Sequence, residues 1–234
     1  NHSRVKSRTS QFKMISIIIP TRNESHVIID TLCHLQTLRK NNICEVILVD
    51  GSSSDDTVDI AKRYVNRILI VEPSRSRQQN IGASIAKGDI LLFLHADTFI
   101  SNEQLIELNK MSLKVKWGFF KLMFTNQKIK YRILSYFINA RSMIRNYATG
   151  DQAIFVNKEL FNKIKGFPKL MLMEDLGFCS ILKNYYPPLI VDSKVITSSR
   201  RWEKNGFIGT IVKMRILRFL YSLGVDTKFL EKNY

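Results

Sequence analysis

The sequence predicts an α/β domain in which helices flank a mostly parallel central sheet, and two observations lead to this fold class. Short apolar runs of strand length alternate with longer segments in which apolar residues recur at helical spacing. The connections between them are short, which is typical of strand–helix–strand units with parallel strands and right-handed crossovers. A chain of 234 residues, of which 45% are hydrophobic, is long enough to enclose one large core.

The first half of the chain shows the alternation most clearly. The opening apolar run stops at Pro20, and the segment after it repeats apolar side chains three and four residues apart, as a helix with one buried face does. The same pattern then recurs. The predicted elements are a strand over 14–19, a helix over 25–39, a strand over 45–49, a helix over 56–64, a strand over 67–71, a helix over 78–86 and a strand over 90–94.

The second half is less regular, although apolar runs and helical periodicity still alternate. The predicted elements are a helix over 101–114, a strand over 117–124, a basic amphipathic helix over 128–145, a strand over 152–156, a helix ending at 165, a helix over 174–185, a strand over 189–196 and a helix over 205–223. We find neither an internal repeat nor a low-complexity linker, so we expect one domain over residues 13–234. The polar, basic residues 1–12 are predicted to be a disordered tail or a cloning remnant.

The charge balance points to anionic partners. There are 36 Lys and Arg residues against 20 Asp and Glu, a net charge of +16, which attracts nucleotide phosphates, nucleic acid or an anionic membrane. The basic residues are spread along the chain without the signature of a nucleic-acid-binding module, so we expect no nucleic-acid partner. Three scattered cysteines without metal-ligand spacing favour a reducing, cytoplasmic location, with the inner face of the plasma membrane as an open alternative.

Polar groups follow three of the predicted strands at the point where each strand ends. In the run GDILLFLHADT, residues 88–98, the apolar residues are followed by His95 and Asp97. The segment after the first strand contributes Thr21, Asn23 and Glu24, and Asp50 follows the second strand. Open parallel sheets bind ligands outside the carboxyl ends of their strands, so these groups are expected to share one site. Asp97, a substrate diphosphate and water could together hold Mg²⁺ or Mn²⁺; alternatively, Asp97 only caps the next helix.

Other polar segments have a functional and a plain structural interpretation. Arg75 and Arg77 in SRSRQQNIGA precede a predicted helix; a fixed arginine there could meet the phosphates or ring of a nucleotide, or both could lie in a solvated basic loop. Glu174 and Asp175 in MEDLGF could include a general base, or only favour a helix dipole. The arginines of SSRRWEKNG, residues 198–206, could offset charge on a leaving diphosphate, or sit with the tryptophan at a membrane interface.

Taken in order, these segments resemble family-two glycosyltransferases with the GT-A fold. The segments are SIIIPTRNE, EVILVDGSSSDDT, ILLFLHADT, GDQAIFV with MEDLGF, and RRW. The resemblance extends from about residue 14 to the end, and is closest to small bacterial transferases described as radical-SAM/selenodomain-associated. It implies a nucleotide-binding half over 13–100 and an acceptor-side half over 101–234. It also implies metal-assisted, inverting transfer of a hexosyl group from a nucleotide-diphosphate sugar to an acceptor hydroxyl, with Mn²⁺ or Mg²⁺ as cofactor.

The resemblance also implies a role for each matched residue. The residues expected to bind the nucleotide sugar are Pro20, Thr21, Asn23, Glu24, Asp50, Arg77, Arg200, Arg201 and Trp202. Asp97 and His95 occupy the positions of the family's metal-binding DxD motif, with His95 in place of the first acid. Asp175 is similar to the catalytic base, with Glu174 beside it. Gly150, Asp151 and Gln152 are expected on the acceptor side.

Three alternatives remain open. The histidine in the DxD position is compatible with a protein that binds the donor without turnover. A basic protein that binds nucleic acid or membrane without catalysis would also account for the charge. A sugar nucleotidyltransferase is disfavoured, because PTRNES lacks the glycine-rich loop that such an enzyme needs after the first strand.

Two basic amphipathic segments suggest docking on an anionic membrane, or contact with a lipid-linked acceptor. One segment contains Lys128, Lys130, Arg132, Arg141 and Arg145, and the other contains Lys213, Arg215 and Arg218. Both interleave these cations with aliphatic and aromatic residues. The alternative is that the apolar residues of both helices face the core and only the basic sides are solvated.

Overall fold

The computed structural model describes residues 13–111 and 115–232. The predicted tail over 1–12 and the end of the predicted helix over 112–114 lie outside the described residues.

The strands of the described residues form a single eight-stranded sheet. They are β1 (Ile15–Thr21), β2 (Cys44–Asp50), β3 (Arg67–Ile70), β4 (Ile90–Phe93), β5 (Thr98–Phe99), β6 (Trp117–Phe124), β7 (Ile154–Asn157) and β8 (Leu189–Thr197). The strand order is β3-β2-β1-β4-β7-β6-β8-β5. The pairs among β3, β2, β1 and β4 are parallel, as is β6 with β8, and β7 and β5 pair antiparallel with their neighbours. The predicted fold class, α/β with a mostly parallel sheet, is confirmed.

Helices cover both faces of this sheet. They are α1 (Ile28–Lys40), α2 (Thr57–Ala61), α3 (Arg75–Ile85), α4 (Asn102–Met111), α5 (Ile129–Arg145), α6 (Lys158–Lys163), α7 (Glu174–Leu182), α8 (Arg200–Lys204), α9 (Phe207–Ser222) and α10 (Thr227–Lys232). Buried side chains of α1, α4 and α5 pack on one face, and those of α3, α6 and α7 pack on the other. Ile17 and Ile18 of β1 belong to different clusters, as the two-residue period of a strand requires. Among the described residues, no helix is long and apolar enough to cross a membrane.

Several boundaries differ from the sequence prediction. Helix α3 begins at Arg75 rather than residue 78, so the basic segment forms its first turn instead of a loop. The predicted strand over 152–156 begins only at Ile154, because residues 150–152 form a 3₁₀ turn. Helices α8 and α9 are separate elements, since Gly206 adopts a left-handed φ of 81° between them. Strand β5 and helices α8 and α10 were not predicted, because all three are short.

Side-chain contacts fix the sheet edge at the carboxyl ends of β1 and β2. Gln78 Nε2 of α3 donates hydrogen bonds to the carbonyl oxygens of Thr21 and Val49, both at 2.8 Å. Gly82 brings α3 close to the sheet, since a Cβ at this position would lie 2.6 Å from Ile18 Cγ2. The strand order reverses between β1 and β4. Open parallel sheets bind ligands at such a position, outside the carboxyl ends of the strands.

Candidate active site

A large cleft opens at the carboxyl ends of β1 and β4 and extends between α5, α7, α8 and α9. Its volume is about 1540 Å³. Pockets for a single small molecule measure roughly 300–1,000 Å³, so this cleft has room for two substrates. Twelve of the sixteen residues selected from the sequence line it: Pro20, Asn23, Glu24, His95, Asp97, Gly150, Asp151, Glu174, Asp175, Arg200, Arg201 and Trp202. The structure therefore brings together groups from five separate segments of the chain.

Thr21, Asp50, Arg77 and Gln152 are not among the residues that line this cleft. Asp50 is 1% exposed, and its carboxylate accepts hydrogen bonds from the Thr21 hydroxyl and from the backbone and hydroxyl of Ser53. Gln152 is fully buried, and its Oε1 accepts a hydrogen bond from the Ser142 hydroxyl at 2.8 Å. In the free protein, Asp50 and Gln152 hold loops in place.

Arg75, and not Arg77, is the arginine of α3 that reaches the cleft. Two residues are separated by about 200° around a helix axis, so the two side chains point in nearly opposite directions. Arg77 is exposed on the other side of the helix. The helix phase that separates the two side chains was not predicted, because both residues were expected in a loop before the helix.

The loop after β1 is held by the loop after β2. Asn23 has a left-handed φ of 55°, a conformation that asparagine tolerates better than most residues. The backbone amide of Asn23 donates a hydrogen bond to Ser53 Oγ at 2.8 Å, and Asn23 Oδ1 accepts one from the backbone amide of Ser54 at 2.9 Å. The backbone of Glu24 donates to Thr57 Oγ1. These contacts place the Glu24 side chain in the cleft.

Two further carboxyl groups, those of Glu24 and Asp151, lie near Asp97. Burial, together with the charges of Glu24 and Asp151, raises the pKa of Asp97 to about 6 against the opposing effect of Arg200. Arg200 Nη2 lies 2.7 Å from Glu24 Oε2, an ion pair that joins the loop after β1 to α8. Mutual repulsion among carboxylates is relieved when a cation binds between them.

The chain alone offers a cation few ligands. Within residues 13–111 and 115–232, no three His, Cys, Asp or Glu side chains are placed to hold a metal ion together. Mg²⁺ and Mn²⁺ are commonly bound by one or two carboxylates together with substrate phosphates and water. The Asp97 environment fits a cation that completes its coordination with diphosphate oxygens.

His95 is packed against the turn that contains Gly150. A Cβ on Gly150 would lie 2.3 Å from His95 Nε2, so only glycine fits beside the ring. This Nε2 is buried and has no hydrogen-bond partner among the described residues. Burial, assisted by the charge of Arg75, lowers the pKa of His95 to about 4. The ring is therefore neutral near pH 7.

The two acids of MEDLGF begin α7, after Met173 with a left-handed φ of 63°. Asp175 Oδ2 accepts a hydrogen bond from the Gly150 amide at 2.9 Å, and Oδ1 accepts one from the Leu176 amide at 2.7 Å. Burial raises the pKa of Asp175 in spite of these donors. The result is a fixed carboxylate that binds a proton more tightly than an exposed aspartate does.

Glu174 is 5% exposed and lies beside Asp175. Burial, together with the charge of Asp175, raises the pKa of Glu174 to about 7. The Arg75 guanidinium opposes this rise from 3.8 Å, the distance between Arg75 Nε and Glu174 Oε1.

Sequence analysis assigned no site role to several cations of the cleft. Arg141 of α5 and Arg218 of α9 line it, although both were grouped with the basic residues expected at a membrane. Arg141 Nε and Nη2 and Arg218 Nε are buried, so these nitrogens do not belong to an exposed basic face. Their spacing along amphipathic helices was the available signal, but it did not distinguish the face toward the cleft from the face toward solvent.

Comparison with known proteins identifies part of the chain. Residues 16–112 match the family described as Glycosyl transferase family 2. This segment is a family 2 glycosyltransferase domain. Among curated relatives, the O-antigen chain rhamnosyltransferase WbaN of Salmonella anatum is 29% identical over 96 residues, which cover 39% of this chain and 30% of that protein. The chain spans less than a third of the first curated relatives that it matches.

Solved structures share the fold of this chain. S. aureus TarS 1–349 in complex with UDP-GlcNAc superimposes with a TM-score of 0.63 at 20% identity, covering 79% of this chain and 58% of that one. The mannosyltransferase PcManGT from Pyrobaculum calidifontis, in complex with GDP-Man and Mn²⁺, gives a TM-score of 0.58 at 17% identity, over 80% and 57% of the two chains. The predicted GT-A fold is confirmed by these likenesses.

The family 2 match divides the predicted site residues into two groups. Pro20, Glu24, His95 and Asp97 of the cleft lie inside the glycosyltransferase match, whereas every residue numbered above 112 lies outside it. The second group includes the acids of α7 and the arginines of α8.

Proposed function

We propose that this protein transfers a sugar from a nucleotide-diphosphate sugar to an acceptor hydroxyl, with inversion at the anomeric carbon. The observation that carries the proposal is that Asp97, Asp175 and Arg200 line one cleft together with the ends of β1 and β4. The half over residues 13–100 would bind the nucleotide and the half over 101–234 would hold the acceptor, with Arg200 and Arg201 of the second half reaching the donor diphosphate, within one domain over 13–234. Nucleotide-sugar complexes of TarS and PcManGT, which share the fold, support this class of donor.

The donor diphosphate is placed beside Asp97, where Arg200 and Arg201 also line the cleft. Asp97, together with the diphosphate oxygens, would hold Mn²⁺ or Mg²⁺. Such a cation, when bound, neutralises charge on the leaving diphosphate. The guanidinium groups stabilise the same developing charge by direct electrostatic attraction.

Asp175 is the general base of this proposal. The acceptor oxygen forms a bond to the anomeric carbon while the bond from that carbon to the diphosphate oxygen breaks. The acceptor proton moves to Asp175, and the electron pair of the broken bond leaves with the diphosphate. Because the acceptor attacks opposite the leaving group, the configuration inverts and no covalent enzyme intermediate is needed. The raised pKa of Asp175 makes it a better proton acceptor than an exposed aspartate.

The proposal is tested first by binding. Thermal stability is measured with UDP, GDP and their sugar derivatives, each with and without Mn²⁺. We expect one donor to stabilise the protein, and to do so in a metal-dependent way. Asp97→Ala should abolish the metal-dependent part, whereas Asp89→Asn, an exposed aspartate at the opposite end of β4, should not. A protein stabilised by none of these donors would contradict the proposed substrate class.

The second test separates binding from transfer. Asp175→Asn should retain donor stabilisation and lose release of nucleoside diphosphate by about 10²–10⁴-fold, the usual contribution of a positioned base. Normal turnover in this variant would refute the assignment of the base. If the wild-type protein binds the donor and shows no turnover with water or with membrane lipid extracts, it is instead a donor-binding protein without transferase activity.

We further propose that α5 and α9 dock on an anionic membrane. Each helix carries exposed apolar residues at the spacing of one helical stripe: Ile129, Ile133, Tyr136, Phe137 and Ile144 on α5, and Ile208, Val212, Ile216, Phe219 and Leu223 on α9. These residues do not face the core, which was the alternative interpretation. Exposed cations accompany them, Lys128, Lys130, Arg132 and Arg145 on α5 and Lys213 and Arg215 on α9. A bilayer with anionic headgroups complements both features.

Membrane docking is tested by sedimentation with phosphatidylglycerol vesicles at low salt. Ile216→Ser removes an apolar residue that is 53% exposed on the α9 stripe, and Ile70→Ser removes one that is 64% exposed on β3. Burying such a side chain contributes about 1.5–3 kcal/mol, so we expect Ile216→Ser to weaken partitioning about tenfold or more. The β3 variant should bind as the wild type does. No sedimentation of the wild type, or equal loss in both variants, would refute docking through α9.

A further inference from the structure

Two arginines on facing helices hold buried nitrogens without partners. Arg141 of α5 and Arg218 of α9 both line the cleft. Arg141 Nε and Nη2 and Arg218 Nε are buried, and none of the three has a hydrogen-bond partner among the described residues. Neither guanidinium forms an ion pair with a carboxylate in the part of the chain that the structure describes.

This arrangement is unfavourable in the free protein. Burial and the neighbouring positive charge of Arg218 both lower the pKa of Arg141. An arginine remains charged under these conditions, so the cost stays in the structure as unsatisfied donors and repulsion between like charges. The Arg141 guanidinium lies 5.5 Å from the centre of the Tyr147 ring, a contact that fixes its position without satisfying its N–H groups. An anion bound in the cleft would offset the positive charges of both guanidinium groups, since both residues line it.

The pair lies on the side of the cleft that holds the proposed base. Arg218 lowers the pKa of Asp175, and Asp175 in turn acts on Arg141, so the three charges are neighbours. Arg200, by contrast, is paired with Glu24 next to Asp97, where the donor diphosphate is placed. Arg218 also contributes to lowering the pKa of Arg201, so the pair lies between the proposed base and the donor-side arginines.

We propose that Arg141 and Arg218 bind a phosphate group of the acceptor. Guanidinium groups present several N–H donors in a planar fork that matches phosphate oxygens. A phosphate held there would bring a nearby hydroxyl of the same molecule toward Asp175. The acceptor is therefore a phosphate ester, either a soluble one or the headgroup of a lipid. This inference rests on the proposed transfer reaction, since it names the chemical class of the acceptor.

The site is tested by titrating sn-glycerol 3-phosphate into the full chain by calorimetry, first alone and then with saturating UDP or GDP. We expect binding in both conditions, because Arg200, paired with Glu24 near Asp97, is available for the donor diphosphate without Arg141 or Arg218. Arg218→Gln and Arg141→Gln should each weaken binding by about 10- to 100-fold, the range for one charged hydrogen-bonding partner. Arg63→Gln removes the same charge from an exposed position after α2 and should leave the affinity unchanged.

Several results would overturn the inference. One is unchanged affinity in both arginine variants, provided that their melting temperatures show them to be folded. Another is complete displacement of the ester by the nucleoside diphosphate, which would assign the arginines to the donor. If Arg141→Gln fails to fold because it loses the Tyr147 contact, Arg218→Gln decides the matter alone.

Vesicles distinguish the source of the phosphate. Phosphatidic acid in phosphatidylcholine vesicles is compared with the soluble ester, each against wild-type protein and Arg218→Gln. Vesicle binding that is weakened by Arg218→Gln supports a lipid headgroup as the ligand. Binding of the soluble ester that is weakened by Arg218→Gln supports a free phosphate ester. If the variant weakens neither kind of binding, the site is overturned.

Failure of the phosphate site and failure of the proposed transfer reaction give different results. Phosphate binding through the two arginines without any sugar transfer would contradict the transferase proposal and leave the site standing. Sugar transfer that is equally fast to an alcohol and to its phosphate ester would overturn the site alone.

Discussion

The buried carboxyl of Glu174 should make the protein less stable as the pH rises toward neutrality. Its pKa is raised from 4.5 to about 7 in the folded protein, mainly by burial. A group whose folded pKa lies above its unfolded value contributes stability that is complete below the unfolded pKa. That contribution is lost as the pH rises through the folded pKa, so the sensitive window runs from about pH 4.5 to about pH 7.

The size of the effect follows from the two pKa values. Each pH unit between them corresponds to 1.36 kcal/mol, so the full difference is about 3 kcal/mol. Glu174→Gln has nearly the same shape and cannot ionise. We therefore expect the variant to gain about 3 kcal/mol in free energy of unfolding relative to the wild type between about pH 4.5 and about pH 8.

Urea denaturation at a series of pH values, without nucleotide or metal, measures this difference. His95 and Asp97 titrate in both proteins, so their contributions largely cancel in the comparison. Glu107→Gln, an exposed glutamate on α4, is the matched control and should show no such pH-dependent gain. Parallel stability curves for the wild type and Glu174→Gln would show that this carboxyl is not held neutral by burial, and would refute the electrostatic account of the site.

Three further variants test close contacts by urea denaturation. Gly82→Ala should destabilise the protein by about 1–3 kcal/mol because the new methyl group overlaps Ile18, and an unchanged midpoint would refute the tight approach of α3 to the sheet. Gly150→Ala should destabilise by a similar amount and displace the His95 ring, which the His95 NMR chemical shifts would report; unchanged shifts would contradict the packing. Asn80→Ala removes two side-chain hydrogen bonds to the Phe167 backbone, and should cost about 1–3 kcal/mol; a loss below that range would mean that water replaces them.

Much of the fold followed from local pattern. The apolar runs of β1, β2 and β4 and the helical spacing of α1 are strong enough that their bounds differ from prediction by at most three residues. The convergence of Asn23, Glu24 and Asp97 also followed, since the carboxyl ends of parallel strands meet at one edge. These features depend on residues close in sequence, or on a general property of parallel sheets.

The predictions that failed depend on which side of a helix a residue occupies and on contacts between segments that are far apart in the sequence. Ser74 is a residue type favoured at helix N-caps, and it immediately precedes α3. Taking it as the start would have placed Arg75 and Arg77 on opposite sides of the helix. The burial of Arg141 and Arg218 had no such signal, because α5 and α9 carry apolar residues on a core face and on an exposed face as well. Only the packing of the two helices distinguishes those faces.

Phe137 and Phe219 belong to the exposed stripes and also line the cleft. If these stripes bind to a bilayer, the opening between α5 and α9 faces the headgroup layer. An acceptor confined to that layer then reaches the opening by lateral diffusion. The rate would then follow the mole fraction of acceptor in the lipid phase rather than its bulk concentration. Adding inert detergent would slow turnover by surface dilution, even though the amounts of enzyme and acceptor stayed constant.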